Sequence, residues 1–252
     1  MDDEKYTTFT DFSEHKSLML YLRHLHITIL LCILFTPKLH ADAAIAFNFY
    51  PHLGDVNSDS DMTINAAVQL PARFSYFSFI NFGGLFHAGS LKFQITEQNL
   101  RWQIADKSPI DLVIQDTIRK GSNNDTIHVG ARWRISSTDV MKKFFNAIHL
   151  NYSAHLFPKR FDQRDIGGWQ ISNAYQITFP YISDRLYFSG FLDYNINELS
   201  STGRKRDNIV SENQFGVRIF KKLYAVAEYR INQYRRSDNT NFGVGIEVKT
   251  NW

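Results

Sequence analysis

Residues 126–135 read TIHVGARWRI, and in this stretch Ile127, Val129, Ala131, Trp133 and Ile135 fall on one face while His128, Gly130, Arg132 and Arg134 fall on the other. A period of two is that of a β-strand, whose successive side chains point to opposite sides of the backbone. The position of the charges decides the fold: two arginines stand in the strand on one side only, opposite an unbroken apolar row. The same arrangement recurs along the chain. In 148–156, Ile148, Leu150, Tyr152, Ala154 and Leu156 oppose His149, Asn151, Ser153 and His155; in 222–232, Leu223, Ala225, Ala227, Tyr229 and Ile231 oppose Glu228 and Arg230. The last segment, 242–252, sets Phe242, Val244, Ile246, Val248 and Trp252 against Gly243, Gly245, Glu247 and Lys249. Segments of about ten residues match a tilted strand crossing a bilayer.

With turn residues as boundaries, the alternation predicts about twelve strands: 44–51, 62–70, 73–83, 91–104, 109–118, 126–135, 147–156, 168–179, 185–196, 209–219, 222–232 and 242–252. The expected fold is all-β, a transmembrane antiparallel β-barrel, because closure leaves no strand edge unpaired in lipid. If both termini lie on one side, connections on the opposite side (52–61, 84–90, 119–125, 157–167, 197–208 and 233–241) are the longer on average, as expected for the extracellular loops of such barrels. Among the short turns, 136–146 is long enough to hold a helical turn capped by Ser137 or Thr138. The phase of 91–104 reverses midway, which predicts a bulge near Thr96–Gln98. A soluble lipocalin-like barrel alternates in the same way with its apolar face inside. Strand length, loop asymmetry and a terminal aromatic favour the lipid-facing version, with Trp102, Trp133, Tyr152, Trp169 and Tyr229 as interface girdles.

The N-terminal region reads as an export signal rather than part of the barrel. Ile27–Phe35 (ITILLCILF) is an apolar core of signal length, preceded by Lys16 and Arg23 and followed by Ala41-Asp42-Ala43, a small-x-small cleavage pattern. Residues 1–43 are therefore expected to be a signal peptide and 44–252 the barrel. The acidic opening is foreign to such a signal, so residues 1–18 read as a start-site artefact and Met19 as the better start. The single Cys32 leaves with the signal, which excludes disulfides and thiolate metal sites from the mature chain. No nucleotide loop or Gly-rich phosphate cradle is present, and no nucleic-acid partner is expected.

With the apolar face outward, the inward face holds Arg101, Asp111, His128, Arg132, Arg134, His149, His155, Asp193, Glu212, Arg218, Glu228, Arg230, Glu247 and Lys249. Such mixed charges can form a mutually satisfied network that fills a narrow lumen. Aromatic residues make up 15% of the chain, and some of them must face that lumen. In 73–83 (RFSYFSFINFG) both faces are aromatic; the Ser75/Phe77/Phe79/Asn81 face, which carries the polar pair, is expected inward. Tyr187 and Phe191 share an inward face with Ser189 and Asp193. Rings beside hydrogen-bonding groups suit a small, flat polar solute such as a nucleobase, although rings can equally fill space.

The order of local patterns resembles the Tsx-like nucleoside-specific channels, twelve-stranded outer-membrane barrels. The likeness lies in MTINAAVQLPARFSYFSFINFGGLF from Met62, GSLKFQITEQNLRWQI from Gly89, SPIDLVIQD from Ser108, GWQISNAYQITFPYISDRLYFSGFLDYNIN from Gly168 and the closing NFGVGIEVKTNW. It implies passive passage of nucleosides past aromatic and ionisable residues. Phe77, Phe79, Tyr187, Phe191 and Asp193 would then be the solute contacts. Trp252 would be the signal read by the barrel assembly machinery. Lys and Arg clusters in 157–167, 197–208 and 233–241 could meet the phosphates of lipopolysaccharide, or be solvated surface. An outer-membrane lipid-modifying enzyme is the alternative, its nearest approach being His149, Asn151, Ser153 and His155 on one polar face. A non-transporting surface barrel is a third reading. Neither a cofactor nor a metal is expected; His128, His149 and His155 make a metal site conceivable, but imidazoles on inward faces are more often solvated or hydrogen-bonded pore residues.

Overall fold

The computed structural model describes residues 42–53, 61–83, 92–119, 125–162, 168–199, 205–233 and 239–251. The expected signal peptide, apart from its last residues, and Trp252 lie outside them. The described chain forms a closed barrel of twelve antiparallel strands, each paired with its sequence neighbours and β1 with β12. The strands are β1 Ala43–Leu53, β2 Asp61–Gln69, β3 Phe74–Gly83, β4 Lys92–Gln103, β5 Ile110–Arg119, β6 Thr126–Trp133, β7 Leu150–Asp162, β8 Trp169–Thr178, β9 Leu186–Leu199, β10 Lys205–Phe220, β11 Leu223–Asn232 and β12 Thr240–Asn251. Closure is made by pairs such as Phe47↔Val248 and Asn48↔Glu247.

Each strand expected from the alternation is present, and the differences have local causes. β7, β9 and β10 run beyond their expected ends, so 157–162, 197–199 and 205–208 are strand rather than loop. Their register shifts explain why the pattern was lost. In β7 the partners of Val129 and Ala131 are Lys159 and Leu156, which places a bulge at Phe157–Pro158, where proline has no N–H to give the ladder. Between β9 and β10 the register also shifts between Arg206 and Asn208. The bulge in β4 falls at Gln94, between the pairs Asn81↔Ile95 and Phe82↔Phe93, and not at 96–98.

The β6–β7 connection holds a 3-10 turn, Ile135–Ser137, and a helix α1, Asp139–Ala147. Thr138 occupies the N-cap position with extended backbone, but its side chain makes no capping bond. Its hydroxyl accepts instead from the Trp133 indole N–H at 2.9 Å. Phe145 of α1 stacks at 6.2 Å on Tyr152. His149 lies in the turn itself, with φ 52 and an exposed side chain against Tyr181, so it does not belong to the inward face of β7.

The polarity of the barrel is inverted relative to a soluble protein. Large side chains on the outward face, among them Leu112, Trp133, Leu156, Trp169, Tyr229, Phe242 and Val244, are exposed. The buried side chains are mostly polar, with Asn48, Asn99, Asp111, Gln115, Glu228 and Glu247 each at 5% exposure or less. In water an apolar exterior of this extent would be a liability, and in lipid it is the favoured surface. The lipocalin-like alternative therefore falls. Trp133 and Tyr152 stand near the short-turn end and Trp169 near the opposite one; Trp102, packed against Phe74 and under the Arg73 guanidinium, also belongs to the short-turn end.

Candidate functional site

β3 and β9 lie six strands apart in either direction around the ring, so their inward faces look at each other across the lumen. The choice of Ser75, Phe77, Phe79 and Asn81 as the inward face of β3 agrees with their placement: the first three line a cavity of about 890 Å³, and Asn81 is buried, donating to Asp61 at 2.9 Å and Thr63 at 3.2 Å. Phe191 and Asp193 line the same cavity from β9. The Asp193 carboxylate is held by Ser172 and Gln170 of β8 and lies close enough to Glu97 of β4 to interact with its charge. Aromatic faces thus stand on opposing walls with carboxylates beside them.

Tyr187 points inward too, but it is packed away from the cavity. It is 4% exposed, its hydroxyl is bonded to Glu247 and Gln214, and the Lys249 ammonium sits 3.6 Å from the ring centroid. Its ring also covers Gly216 of β10, where an added Cβ would meet ring carbon at 2.0 Å. Beside it, Lys249 pairs with Glu247 at 3.1 Å. Further along this wall Arg230 binds Asp61 and Glu228 and approaches Glu212 at 3.6 Å. Tyr50, wholly buried, donates its hydroxyl proton to Glu228 at 2.5 Å and has the Gln214 side-chain oxygen 3.0 Å from the same hydroxyl. These side chains bind one another, and only Oδ1 of Asp61 within the group is buried without a partner.

The wall formed by β4, β5, β6 and β7 is built differently. Asp111 of β5, 2% exposed, takes Arg132 of β6 at 2.5 Å and Arg134 at 3.4 Å. Arg101 of β4 has no carboxylate within ion-pair distance among the described residues; its guanidinium lies over Phe77, 5.4 Å from the ring centroid. Arg132 stands directly opposite His155 of β7 in the strand register. His155 is 6% exposed, stacks on Phe157 at 5.9 Å, and has no side-chain hydrogen-bond partner for its ring nitrogens, which have the Ser172 backbone of β8 beside them.

Two other expected lumen charges are elsewhere. Arg218 is at the rim, bound to the exposed Asp184 at 2.5 Å, because it pairs close to the β10–β11 turn. His149 has left the strand, which breaks up both the His149/Asn151/Ser153/His155 face and the three-histidine arrangement. Among the described residues no cluster of three or more His, Cys, Asp or Glu is arranged to hold a metal. Sequence reasoning missed Glu97, Asp61, Tyr50 and Gln214. Glu97 was hidden by the misplaced bulge: once the extra residue is Gln94, the positions 97, 99, 101 and 103 share a face, and all four line the cavity.

Fold and lumen together define a porin-like architecture, a closed twelve-stranded barrel with an apolar exterior and a polar, cavity-bearing interior. No known protein family matches the chain, and no curated protein does. Among solved structures it is similar to the KdgM porin, with 13% identity, a TM-score of 0.46 and coverage of 82% of this chain and 98% of that one. It is also similar to KdgM porin in complex with disordered oligogalacturonate, with 15% identity, a TM-score of 0.48 and coverage of 81% and 98%. A triple mutant of the Rhodopseudomonas blastica porin has 9% identity and a TM-score of 0.37, with coverage of 83% and 99%.

Proposed function

We propose that this chain is a bacterial outer-membrane channel for passive diffusion of nucleosides or similarly small, flat, polar solutes. The observation that carries the reading is the 890 Å³ cavity with Phe77 and Phe79 on one wall, Phe191 on the other and Asp193 beside them. That volume lies within the roughly 300–1,000 Å³ of small-molecule sites. Stacking on the rings would hold a base, and carboxylate and amide groups would bind its edges. Tyr187 supports the wall from behind rather than touching the solute. In the same reading residues 1–43 direct export, Trp252 is recognised by the barrel assembly machinery, and basic loops contact lipopolysaccharide.

Transport requires loose binding, so a dissociation constant near the millimolar range, about 4 kcal/mol, is expected. Purified protein in planar bilayers, recorded with and without adenosine, tests the reading. Ion conductance that adenosine reduces reversibly at millimolar concentration is the expected result. Conductance that adenosine never changes removes the nucleoside site, and the absence of any conductance removes the channel.

A further inference from the structure

The lumen groups that do not satisfy one another carry an inference about the solute. Three guanidinium groups, those of Arg101 on β4, Arg132 on β6 and Arg134 just beyond its end, lie around the carboxylate of Asp111. Asp111 serves Arg132 and Arg134, and the Arg134 guanidinium also donates to the Ser108 carbonyl. Arg101 is left with its buried Nε unpartnered and its flat face on Phe77. Glu97, the next carboxylate, interacts with Arg101 only through its charge, beyond ion-pair distance, and accepts instead from the Asn99 amide at 2.8 Å. His155 stands beside Arg132 with no side-chain partner for its ring nitrogens. Arg101, Arg132, Arg134 and His155 all line the cavity. A buried guanidinium without a counter-ion is costly, and an incoming anion supplies both charge and acceptor oxygens.

We propose that the lumen contains an anion subsite at Arg101 and Arg132, flanked by His155. It adjoins the Phe77 ring, so the solutes it favours are flat rings carrying a carboxylate or a phosphate. The ring-binding half of this rests on the channel reading above; the anion half stands on the unpaired guanidinium. Arginine presents a planar fork of donors that matches either anion bidentately. Phe77 lies against the plane of that fork, and Arg101 as a whole lines the cavity while its Nε is enclosed. Asp111 orients Arg132 from β5.

The test compares matched probes on the full chain in planar bilayers. Adenosine 5′-monophosphate should block the current at about one tenth of the adenosine concentration, since a charged hydrogen bond is worth about a factor of ten or more. Benzoate against benzamide makes the same comparison for a carboxylate, and the pair with the larger ratio identifies the preferred anion. Arg101→Gln and Arg132→Gln should each reduce these ratios towards one, while Lys142→Gln on the exposed α1 should not. Where a variant fails to assemble, the unmodified protein still decides: inorganic phosphate should raise the nucleotide concentration needed for block more than the adenosine concentration.

Equal block by charged and uncharged members of both pairs overturns the anion subsite and leaves the nucleoside reading standing. Ratios that persist in both Arg variants also overturn it. Phosphate block that is lost in Arg101→Gln, with adenosine inert, supports the anion subsite and removes the nucleoside reading. If neither phosphate nor any of the ring compounds alters the current, both fall.

Discussion

The two sides of the lumen use similar residue types to opposite ends. On the β10–β2 side Arg230, Lys249, Glu228, Glu247, Asp61, Tyr50 and Gln214 bind one another, with Tyr187 and Tyr224 filling the space between them. Both sides line the cavity, but from β3 to β9 the wall includes groups without full partners, the Arg101 Nε and the His155 ring, beside the rings of Phe77 and Phe191. A polar group saturated inside the protein contributes to stability; one left facing a wet cavity is available to a solute. Charge in a barrel lumen therefore does not identify a binding wall. The criterion is whether each charge already has its partners.

This contrast can be broken most severely at Arg230. Replacing it by Met removes the cation shared by Asp61, Glu212 and Glu228 and leaves carboxylates buried without one. A loss of about 3–5 kcal/mol is expected in denaturant titration of the refolded barrel. An unchanged midpoint would mean that the β10–β2 side is not held by these pairs.

Gly216→Ala comes next, because its Cβ would enter the space of the Tyr187 ring. Overpacking of this kind costs about 1–3 kcal/mol. The same titration reads it, and a wild-type midpoint would mean that Tyr187 is free to move towards the cavity. On the open side the expected effects move from stability to solute. Phe191→Ala should weaken adenosine block about tenfold, since stacking is worth roughly 1–3 kcal/mol per base, and should leave small-ion conductance equal or higher. Equal block in parent and variant would take β9 out of the site. Smallest of all is Glu97→Gln: its contacts are to the Asn99 and Gln115 amides, which can serve an amide as well as a carboxylate. A stability change within about 1 kcal/mol is expected, and a larger one would assign Glu97 to the saturated side.

The strand core was legible because the segments at lipid depth obey a strict period of two, as TIHVGARWRI does. Where strands continue past that depth, one face no longer has to be apolar, and 157–162 and 205–208 lost the pattern although their backbone pairing continues. Phase was the other source of error. One extra residue at Gln94 reverses inside and outside for the rest of β4, and this concealed Glu97 while Arg101, nearer the clear end of the pattern, was read correctly. Chemistry within the lumen was less legible than its lining. Nothing in the spacing of Arg101 and Arg230 distinguishes a guanidinium resting on a ring from one surrounded by carboxylates, because their partners come from strands remote in sequence.

Tyr50 illustrates that remoteness in time as well as space. Its hydroxyl bonds to Gln214 and Glu228, 164 and 178 residues away along the chain. These bonds can form only after β10 and β11 have arrived beside β12 and the first strand has met the last. Contacts so distant in sequence are late on a folding route, since the intervening chain must be ordered before they gain anything. Late contacts leave the folding rate nearly untouched and act on the reverse reaction. Tyr50 is thus placed as a latch: it does little to hasten assembly, and it lengthens the lifetime of the barrel once the ring has shut.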